Sequence, residues 1–172
     1  IATAALTSGF AVRIIEISQE GLDKGVGFIT KNLDGAVKRG KMSEAKRAEA
    51  MARLEPSTDM ETLSDVDLVI EAVFENMDVK KDIFGKLDTI CKPGAVLASN
   101  TSYLDINEIA SATSRPEDII GLHFFSPANI MRLLEVVVAD KTAPEVVATG
   151  FALAKKMKKV GVRAGVCDGF IG

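Results

Sequence analysis

The chain has 172 residues, with 21 Lys or Arg and 24 Asp or Glu, so its formal net charge is −3. This slightly acidic balance gives no reason to expect nucleic acid or an anionic membrane surface as a partner, and 47% hydrophobic with 26% charged residues argues against disorder. No apolar run approaches the about 20 residues that span a bilayer, so no membrane span is expected.

Two cysteines, Cys91 and Cys167, and one histidine, His123, limit the covalent and metal chemistry open to the chain. Two cysteines do not make a disulfide framework. Without a C-x-x-C pair they do not make a zinc site either, so no metal is expected. This cysteine usage favours a reducing compartment, which we take to be the cytoplasm.

The first third of the chain predicts a helix, a strand and two more helices. Residues 1–8 are small and apolar and end at Ser8-Gly9, a combination typical of a helix C-terminus. The β-branched run 12–16 predicts a buried strand. An amphipathic helix follows, because apolar residues recur every three or four positions, at Leu22, Val26, Ile29, Leu33 and Val37. Residues 43–54 predict a charge-rich helix, followed by a break at Pro56-Ser57-Thr58.

The remainder alternates between apolar runs and helical patterns. Strands are predicted over residues 67–72, 95–99, 119–123, 133–138 and 158–165. Helical spacing occupies residues 77–90, 105–113 and 144–157. Strand, helix, strand, helix is the pattern of βαβ units, and strands covered on both faces are continuously apolar, as these are. The sequence therefore predicts an α/β fold with a mostly parallel sheet and helices on both faces, in one domain over residues 1–172.

Glu16 ends the first predicted strand, which follows a helix of small residues. In a dinucleotide-binding βαβ unit, an acid at this point binds the adenosine ribose and disfavours the 2′-phosphate of NADP. The glycine loop of such a unit lies about 20 residues earlier, so we expect the chain to begin inside the first helix, without the first strand and glycine loop. The alternative is that Glu16 is a surface acid after a strand.

His123 lies at the carboxyl end of a predicted strand, where open α/β sheets place their ligand crevice. Glu135 follows twelve residues later inside an apolar run, where an unpaired carboxylate would be costly to bury. A His–Glu pair is the apparatus of a general base, because the acid orients the imidazole and stabilises its protonated form. The alternative is a structural histidine with a surface-facing Glu135.

Four segments together resemble the L-3-hydroxyacyl-CoA dehydrogenase family. The run H-F-F-S-P-A-N-I-M-R-L-L-E-V-V, residues 123–137, resembles its catalytic segment. Residues 100–102 resemble its S-N-T-S segment, residues 71–80 its V-E-A-x-x-E-x-x-x-x-K segment, and residues 168–172 the start of its G-F-[IV]-x-N-R motif. The residues S-P-A-N at 126–129 and C-D-G-F-I-G at 167–172 resemble the dehydrogenase part of multifunctional β-oxidation proteins more than stand-alone enzymes.

The resemblance implies a Rossmann-like NAD-binding domain and assigns three catalytic positions. His123 would be the general base that takes the proton of the 3-hydroxyl, and Glu135 would orient it and balance its charge. Ser102 would contact both the substrate and the cofactor. The implied reaction is NAD-dependent oxidation of L-3-hydroxyacyl-CoA to 3-oxoacyl-CoA.

The same resemblance implies further ligand contacts. Besides Glu16 and Ser102, the residues implied to bind the cofactor are Val73, Phe74, Glu75, Lys80, Asn100 and Ser126. Ser126 stands where the family often has Asn, and its shorter side chain would reach through water. Asn32 and Arg39 fall near positions that touch CoA. For Glu75, Lys80, Asn32 and Arg39 a solvated helix is the alternative, and for Asn100 and Ser102 a polar turn is.

The resemblance also implies a larger parent protein. A helical C-terminal domain that closes the acyl-CoA cleft would follow Gly172, and we expect a homodimer, with an enoyl-CoA hydratase fused or associated. Residues 1–172 alone are expected to be inactive. Action on another hydroxy acid and a non-catalytic NAD-binding module are the alternatives; the presence of His123, Glu135 and Ser102 argues against the second.

Overall fold

The computed structural model describes residues 1–171 and forms two compact units, Ile1–Thr62 and Leu63–Gly172. Each unit has its own sheet, of two strands in the first and five in the second. A short 3₁₀ helix, Met60–Leu63, lies where one unit gives way to the other along the chain.

The first unit contains three helices and a pair of parallel strands. In chain order they are α1 (Ala2–Thr7), β1 (Val12–Ile15), α2 (Gln19–Lys38), α3 (Glu44–Ala52) and β2 (Leu54–Ser57). The Ser18 hydroxyl accepts from Gly21 N and caps α2, and Ser43 caps α3 in the same way. The apolar stripe of α2 forms a core with α1 and α3 through Leu6, Ile29, Leu33 and Ala50.

β2 corrects the prediction of a break around Pro56. Residues 54–57 form a strand parallel to β1, with Pro56 opposite Ile14. Val12 N donates to Arg53 O and Glu16 N donates to Ser57 O, so the odd-numbered residues of this segment face β1. Pro56 therefore directs its missing N–H away from the ladder, which is where a strand tolerates proline.

The second unit is an α/β sheet flanked by helices. Its elements are β3 (Leu68–Glu71), α4 (Met77–Ile90), β4 (Val96–Ser99), α5 (Ile106–Ala110), β5 (Ile119–Phe124), β6 (Leu133–Val138), α6 (Pro144–Lys156) and β7 (Val160–Gly165), with a 3₁₀ turn at Pro116–Asp118. The strand order is β3-β4-β5-β6-β7, and all neighbouring pairs are parallel except β5 with β6. The mostly parallel sheet predicted from the sequence is confirmed.

Helices cover opposite faces of β5. A Cβ on Gly150 of α6 would lie 3.4 Å from side-chain atoms of Ile120 and Leu122. A Cβ on Gly121 would instead meet Ile106 of α5 at 3.2 Å, and Val137 of β6 at 2.6 Å. Successive residues of a strand point to opposite faces, so α5 and α6 lie on the two sides of the sheet. Only glycine allows the close approach at position 121.

Within residues 1–171, no helix is long and apolar enough to cross a membrane. The same residues contain no group of three or more His, Cys, Asp or Glu side chains placed to hold a metal ion.

Candidate functional site

The antiparallel pairing of β5 and β6 brings His123 and Glu135 together. The two residues are directly opposite in the register, so their side chains leave the same face of the sheet. His123 Nδ1 lies 2.6 Å from Glu135 Oε2. The Glu135 side chain is fully buried, whereas 15% of the His123 side chain remains exposed. The pair is therefore anchored in the interior and open to solvent at the imidazole.

Aromatic rings and one backbone amide complete the surroundings of this pair. The Phe125 ring lies 4.6 Å from the imidazole centroid, and the Phe170 ring lies at 6.0 Å. Glu135 Oε1 accepts a hydrogen bond of 2.9 Å from Ile171 N. Both oxygens of the buried carboxylate are thus engaged, which fixes its orientation and that of the ring it holds.

This geometry can move a proton. When Nδ1 donates to Glu135, Nε2 carries the lone pair of the neutral imidazole and accepts a proton from a bound group. The carboxylate then faces an imidazolium and stabilises it over a short, poorly solvated distance. A base held in this way is suited to take the hydroxyl proton of an alcohol.

The loop after β4 lies beside the His123–Glu135 pair. Asn100 Oδ1 accepts from Phe124 N at 2.9 Å, and Asn100 N donates to Glu71 O at 2.8 Å. Asn100 therefore ties the carboxyl ends of β3, β4 and β5 together next to His123. Ser102, two residues on, donates to Glu75 Oε2 through its N at 3.2 Å and its Oγ at 3.3 Å.

A second buried carboxylate, Glu71, ends β3 and was not assigned a role from the sequence. Lys80 Nζ donates to Glu71 Oε1 at 2.7 Å, and both side chains are 1% exposed. Ser99 Oγ donates to Glu71 Oε2 at 2.7 Å, and Val73 N donates to Oε1 at 2.7 Å. Lys80, implied by the resemblance to bind the cofactor, thus has its ammonium group in a buried network.

Three other residues implied to bind the cofactor lie on exposed loops. Val73 and Phe74 follow β3, and Phe74 is 85% exposed. Ser126 follows β5 and is also exposed; the Ser126–Pro127 peptide is cis. A large aromatic ring this exposed, shortly after β3, is available to a bound molecule.

Lys159 supports the loop that contains Ser126, and sequence reasoning missed it. Its Nζ donates to Ala128 O at 2.6 Å and Met131 O at 2.7 Å. It also lies 5.6 Å from the centroid of the Phe124 ring. Desolvation by burial lowers the pKa of Lys159 below that of a free lysine. No pattern around Lys159 in the sequence distinguishes it from its neighbours Lys155, Lys156 and Lys158.

The remaining candidates lie in the first unit. Glu16 is exposed directly after β1, and one of its carboxylate oxygens is 3.3 Å from the position that a Cβ on Gly21 would occupy. Asn32 is half-buried and Arg39 exposed; they are seven residues apart, about 10.5 Å along α2 and on one face. The Arg39 guanidinium covers Gly35, with Nη1 at 3.1 Å from where its Cβ would be.

A family model, the NAD-binding domain of 3-hydroxyacyl-CoA dehydrogenase, matches residues 1–167. The chain belongs to this family. The match confirms the resemblance found in the motifs and identifies NAD as the cofactor of the domain. It is also in agreement with the α/β architecture of the second unit.

Relatives of this NAD-binding domain occur in proteins of different organisation. It is 43% identical over 170 residues to the glyoxysomal fatty acid β-oxidation multifunctional protein of Brassica napus, covering 99% of this chain and 23% of that protein. It is 42% identical over 154 residues to the 3-hydroxybutyryl-CoA dehydrogenase of Clostridioides difficile, covering 90% of this chain and 55% of that protein. The chain thus spans about a quarter of the first relative and about half of the second.

Solved structures share the fold closely. The crystal structure of 3-hydroxybutyryl-CoA dehydrogenase from Escherichia coli superposes with a TM-score of 0.96 at 39% identity, covering 99% of this chain and 36% of that chain. That of FadB2 from Mycobacterium tuberculosis gives 0.96 at 38% identity, covering 99% and 60%.

The residues of the NAD-binding domain fit this cofactor. Glu16 has an exposed carboxylate next to Gly21, and any side chain at position 21 would occupy the space beside that carboxylate. An open carboxylate of this kind suits the hydroxyls of a ribose. In the second unit, exposed Val73 and Phe74 precede Ser102, whose hydroxyl is 3.3 Å from Glu75. Apolar surface and polar groups in this combination are typical of cofactor sites.

Proposed function

We propose that the protein containing this chain oxidises L-3-hydroxyacyl-CoA to 3-oxoacyl-CoA, with NAD as the hydride acceptor. The observation that carries the proposal is the contact of 2.6 Å between His123 Nδ1 and the fully buried Glu135 carboxylate. Family membership supports the substrate class, and relatives named 3-hydroxybutyryl-CoA dehydrogenase support it further.

In this proposal His123 takes the proton of the substrate's 3-hydroxyl on Nε2. NAD, when bound, would accept the C3 hydrogen as a hydride as the C–O bond becomes a carbonyl. Glu135 stabilises the imidazolium that forms. In the reverse direction the imidazolium returns its proton to the carbonyl oxygen. One hydride and one proton leave the alcohol, so charge and atoms balance.

We assign the remaining residues to binding. Glu16 holds the adenosine ribose. The residues of the second unit that we assign to cofactor binding are Val73, Phe74, Glu75, Lys80, Asn100, Ser102 and Ser126. Ser102 also contacts the substrate in this proposal; its exposed hydroxyl donates a long hydrogen bond of 3.3 Å to Glu75 Oε2. Asn32 and Arg39 bind CoA from one face of α2, where the Arg39 cation suits a phosphate.

The test follows NADH absorbance with acetoacetyl-CoA, using the chain with its flanking sequence. We expect rapid loss of NADH and much slower loss of NADPH. Folded protein that binds NADH but reduces no 3-oxoacyl-CoA of any chain length would overturn the substrate and direct attention to other hydroxy acids or to a binding role. We expect residues 1–172 alone to turn over little substrate; wild-type turnover by this piece would contradict that expectation.

The Glu16 assignment has its own control. Glu16→Gln removes the carboxylate that disfavours a 2′-phosphate, so preference for NADH over NADPH falls. Glu20→Gln changes an exposed acid four residues away that pairs with Lys24 on α2. Equal effects of the two variants would show general electrostatics rather than ribose binding.

We further propose a homodimer with an enoyl-CoA hydratase fused or associated, located in the cytoplasm. Relatives named as multifunctional proteins and as a subunit of a fatty acid oxidation complex support the association. Some relatives are named as peroxisomal. Light scattering of the purified protein tests the dimer, and cell fractionation tests the compartment; a monomer or a peroxisomal location would refute the respective point.

A further inference from the structure

We propose that Lys159 is a positioning residue for catalysis, acting from the face of the sheet opposite His123. Residues 125–132 connect β5 to β6 and form the β5–β6 loop. Lys159 holds this loop closed, and the loop in turn holds the Phe125 ring against the imidazole. The effect on turnover rests on the proposed function, whereas the hold on the loop does not.

The Lys159 ammonium joins two points of the β5–β6 loop. Its Nζ donates to Ala128 O at 2.6 Å and to Met131 O at 2.7 Å. Between these carbonyls the chain turns, because Ile130 N and Met131 N both donate to Pro127 O at 2.9 Å. Hydrogen bonds from a cation are shorter and stronger than those from a neutral donor. One side chain therefore closes the turn from outside.

The backbone around Lys159 is itself fixed. Lys159 N donates to Ala154 O in α6 at 2.8 Å, and Val160 N donates to Arg132 O at 2.7 Å. From Leu133 onward, β6 pairs with β7 in parallel register. The ammonium group thus projects from a segment that a helix and the sheet both hold, so the loop is tied to the sheet rather than to another loop.

Side-chain alternation places Lys159 and His123 on opposite faces of the sheet. Lys159 Nζ lies 5.6 Å from the centroid of the Phe124 ring, and Phe124 follows His123 directly in β5. Successive side chains of a strand point to opposite faces. Lys159 therefore approaches the end of β5 from the side that the imidazole does not occupy, and it acts on the reaction through the chain between them.

The β5–β6 loop begins with the ring that packs on the imidazole. The ring centroids of Phe125 and His123 are 4.6 Å apart, and the two side chains leave the same face. Ser126, the next residue, is exposed and is assigned to cofactor binding. If the loop loosened, the Phe125 ring would leave the imidazole and Ser126 would leave the cofactor. Small misplacements lower the rate even when they start far from the reacting atoms.

The contacts of Lys159 offset the cost of burying its ammonium group. Desolvation lowers the pKa of Lys159, and two carbonyl oxygens with one aromatic ring compensate for it. A neutral side chain of similar length would avoid this cost but leave both carbonyls without their charged donor. We therefore expect Lys159→Met to free the loop without unfolding the sheet.

The test follows backbone amide exchange by NMR in the cofactor-free protein with its flanking sequence. In Lys159→Met, the amides of Ile130 and Met131 should exchange about tenfold faster. The amide of Val136 in β6 should be unaffected. The control is Lys155→Met, which changes an exposed lysine in the last turn of α6 and should alter none of the three.

The histidine signal gives a second readout. The Cε1 proton of His123, identified by its loss in His123→Gln, senses the ring current of Phe125, whose centroid is 4.6 Å from that of the imidazole. At the alkaline end of the titration, where the imidazole is neutral, its chemical shift should change in Lys159→Met and stay constant in Lys155→Met. A side chain that only contributes stability would leave this signal in place.

Two results would overturn the proposal. If the Ile130 and Met131 amides exchange as in the wild type, Lys159 does not hold the loop. If Lys159→Met speeds the Val136 amide as well, Lys159→Gln decides, since it keeps a polar but shorter and uncharged group at this half-buried position. We expect Val136 protection to return there while Ile130 stays fast; uniform recovery or uniform loss would exclude positioning.

The readouts separate this proposal from the dehydrogenase activity. Amide exchange and the histidine signal need neither substrate nor cofactor, so they decide the hold on the loop even if the substrate assignment fails. When the proposed function holds, kcat of Lys159→Met with acetoacetyl-CoA should fall by about tenfold, and Lys155→Met should retain it. An unchanged kcat with a loosened loop would refute the catalytic role of Lys159.

Discussion

The second unit has two buried carboxylates, Glu135 and Glu71, whose partners differ in exposure to solvent. Glu135 lies 2.6 Å from His123, and Glu71 lies 2.7 Å from Lys80. Both acids are at or near complete burial, and each is held by additional hydrogen bonds. The partners differ, because 15% of the His123 side chain reaches solvent and only 1% of Lys80 does.

This difference separates a pair that stays open to a bound molecule from a pair that is closed to it. Imidazole exchanges a proton near neutral pH, and His123 has a ring nitrogen directed away from its carboxylate. The Lys80 ammonium is instead enclosed with the Glu71 carboxylate, at 2.7 Å. Burial with a partner is therefore not by itself a sign of catalysis; what decides is whether the partner keeps an atom in contact with the outside.

The largest effect is expected on turnover, from a change in the His123–Glu135 pair. His123→Gln should lower kcat of the protein with its flanking sequence by about 10²–10⁴-fold, the usual contribution of a general base. NADH binding, measured by fluorescence, should change little because the ring is not needed to hold the cofactor. The control Asn129→Ala alters an exposed residue of the loop that follows β5. Equal losses of turnover and binding would make His123 structural.

A change in the buried Glu71–Lys80 pair should lower the stability of the fold. Lys80→Met leaves the Glu71 carboxylate buried without its cation, at a cost of about 3–5 kcal/mol in the free energy of unfolding. Urea denaturation followed by far-UV circular dichroism measures this, since the chain has no Trp. Adding Glu71→Gln should recover part of the loss. The control is Lys86→Met on the same helix, which removes an exposed pair with Asp82. A stability equal to that of Lys86→Met would mean that the pair is not closed in solution.

Glu135→Gln removes the charge beside His123 but leaves the imidazole in place. The amide keeps the shape and still accepts from Nδ1, but it no longer carries the charge that stabilises the imidazolium. We expect kcat to fall by about 10–100-fold, with a smaller change in NADH affinity. Glu145→Gln, an exposed acid in the first turn of α6, is the matched control. An unaffected rate would remove Glu135 from the mechanism.

The smallest effect expected is on thiol reactivity, which reports opening of α4. Cys91 caps this helix and is buried, and desolvation raises the pKa of its thiol. Less thiolate is then present at neutral pH, and the fraction rises only at pH values above the ordinary range of a thiol. Exposed Cys167 should react with iodoacetamide about tenfold faster or more.

Thiol labelling also tests the role of the Glu71–Lys80 pair in holding α4 closed. Lys80→Met should accelerate labelling of Cys91, since Lys80 and Cys91 lie on and after the same helix, and leave Cys167 unchanged. Both thiols should react alike in urea. Equal rates in the folded wild type would show that Cys91 is not protected.

Local patterns predicted most of the elements. The apolar spacing of residues 22–37 and 77–90 is matched by α2 and α4, and the apolar runs after residue 67 are strands. Pro56 predicts a break, yet Leu54–Ser57 is a strand, because a proline is tolerated on the side of a strand that has no hydrogen-bonded neighbour. That choice depends on which side of the strand has a neighbour.

Some residues of the candidate site are likewise indicated by a local sequence signal, and others are not. The cost of burying a carboxylate among apolar residues pointed to Glu135, and the same argument applies to Glu71 at the end of a strand. The motif around Glu71 assigns ligand contacts to Glu75 and Lys80 and none to Glu71. Lys159 carries no comparable signal, since its two carbonyl partners are about 30 residues away in the chain.

Residue types and their order account for the family, the α/β class, NAD as the cofactor and His123 as the candidate base. They do so because periodicity and short motifs are local properties of the chain. The pairing of His123 with Glu135, the closure around Lys80 and the approach of Val137 to Gly121 depend on strand register and on burial. These are set by contacts between distant segments, since a shift of one residue in β6 would turn Glu135 to the other face of the sheet.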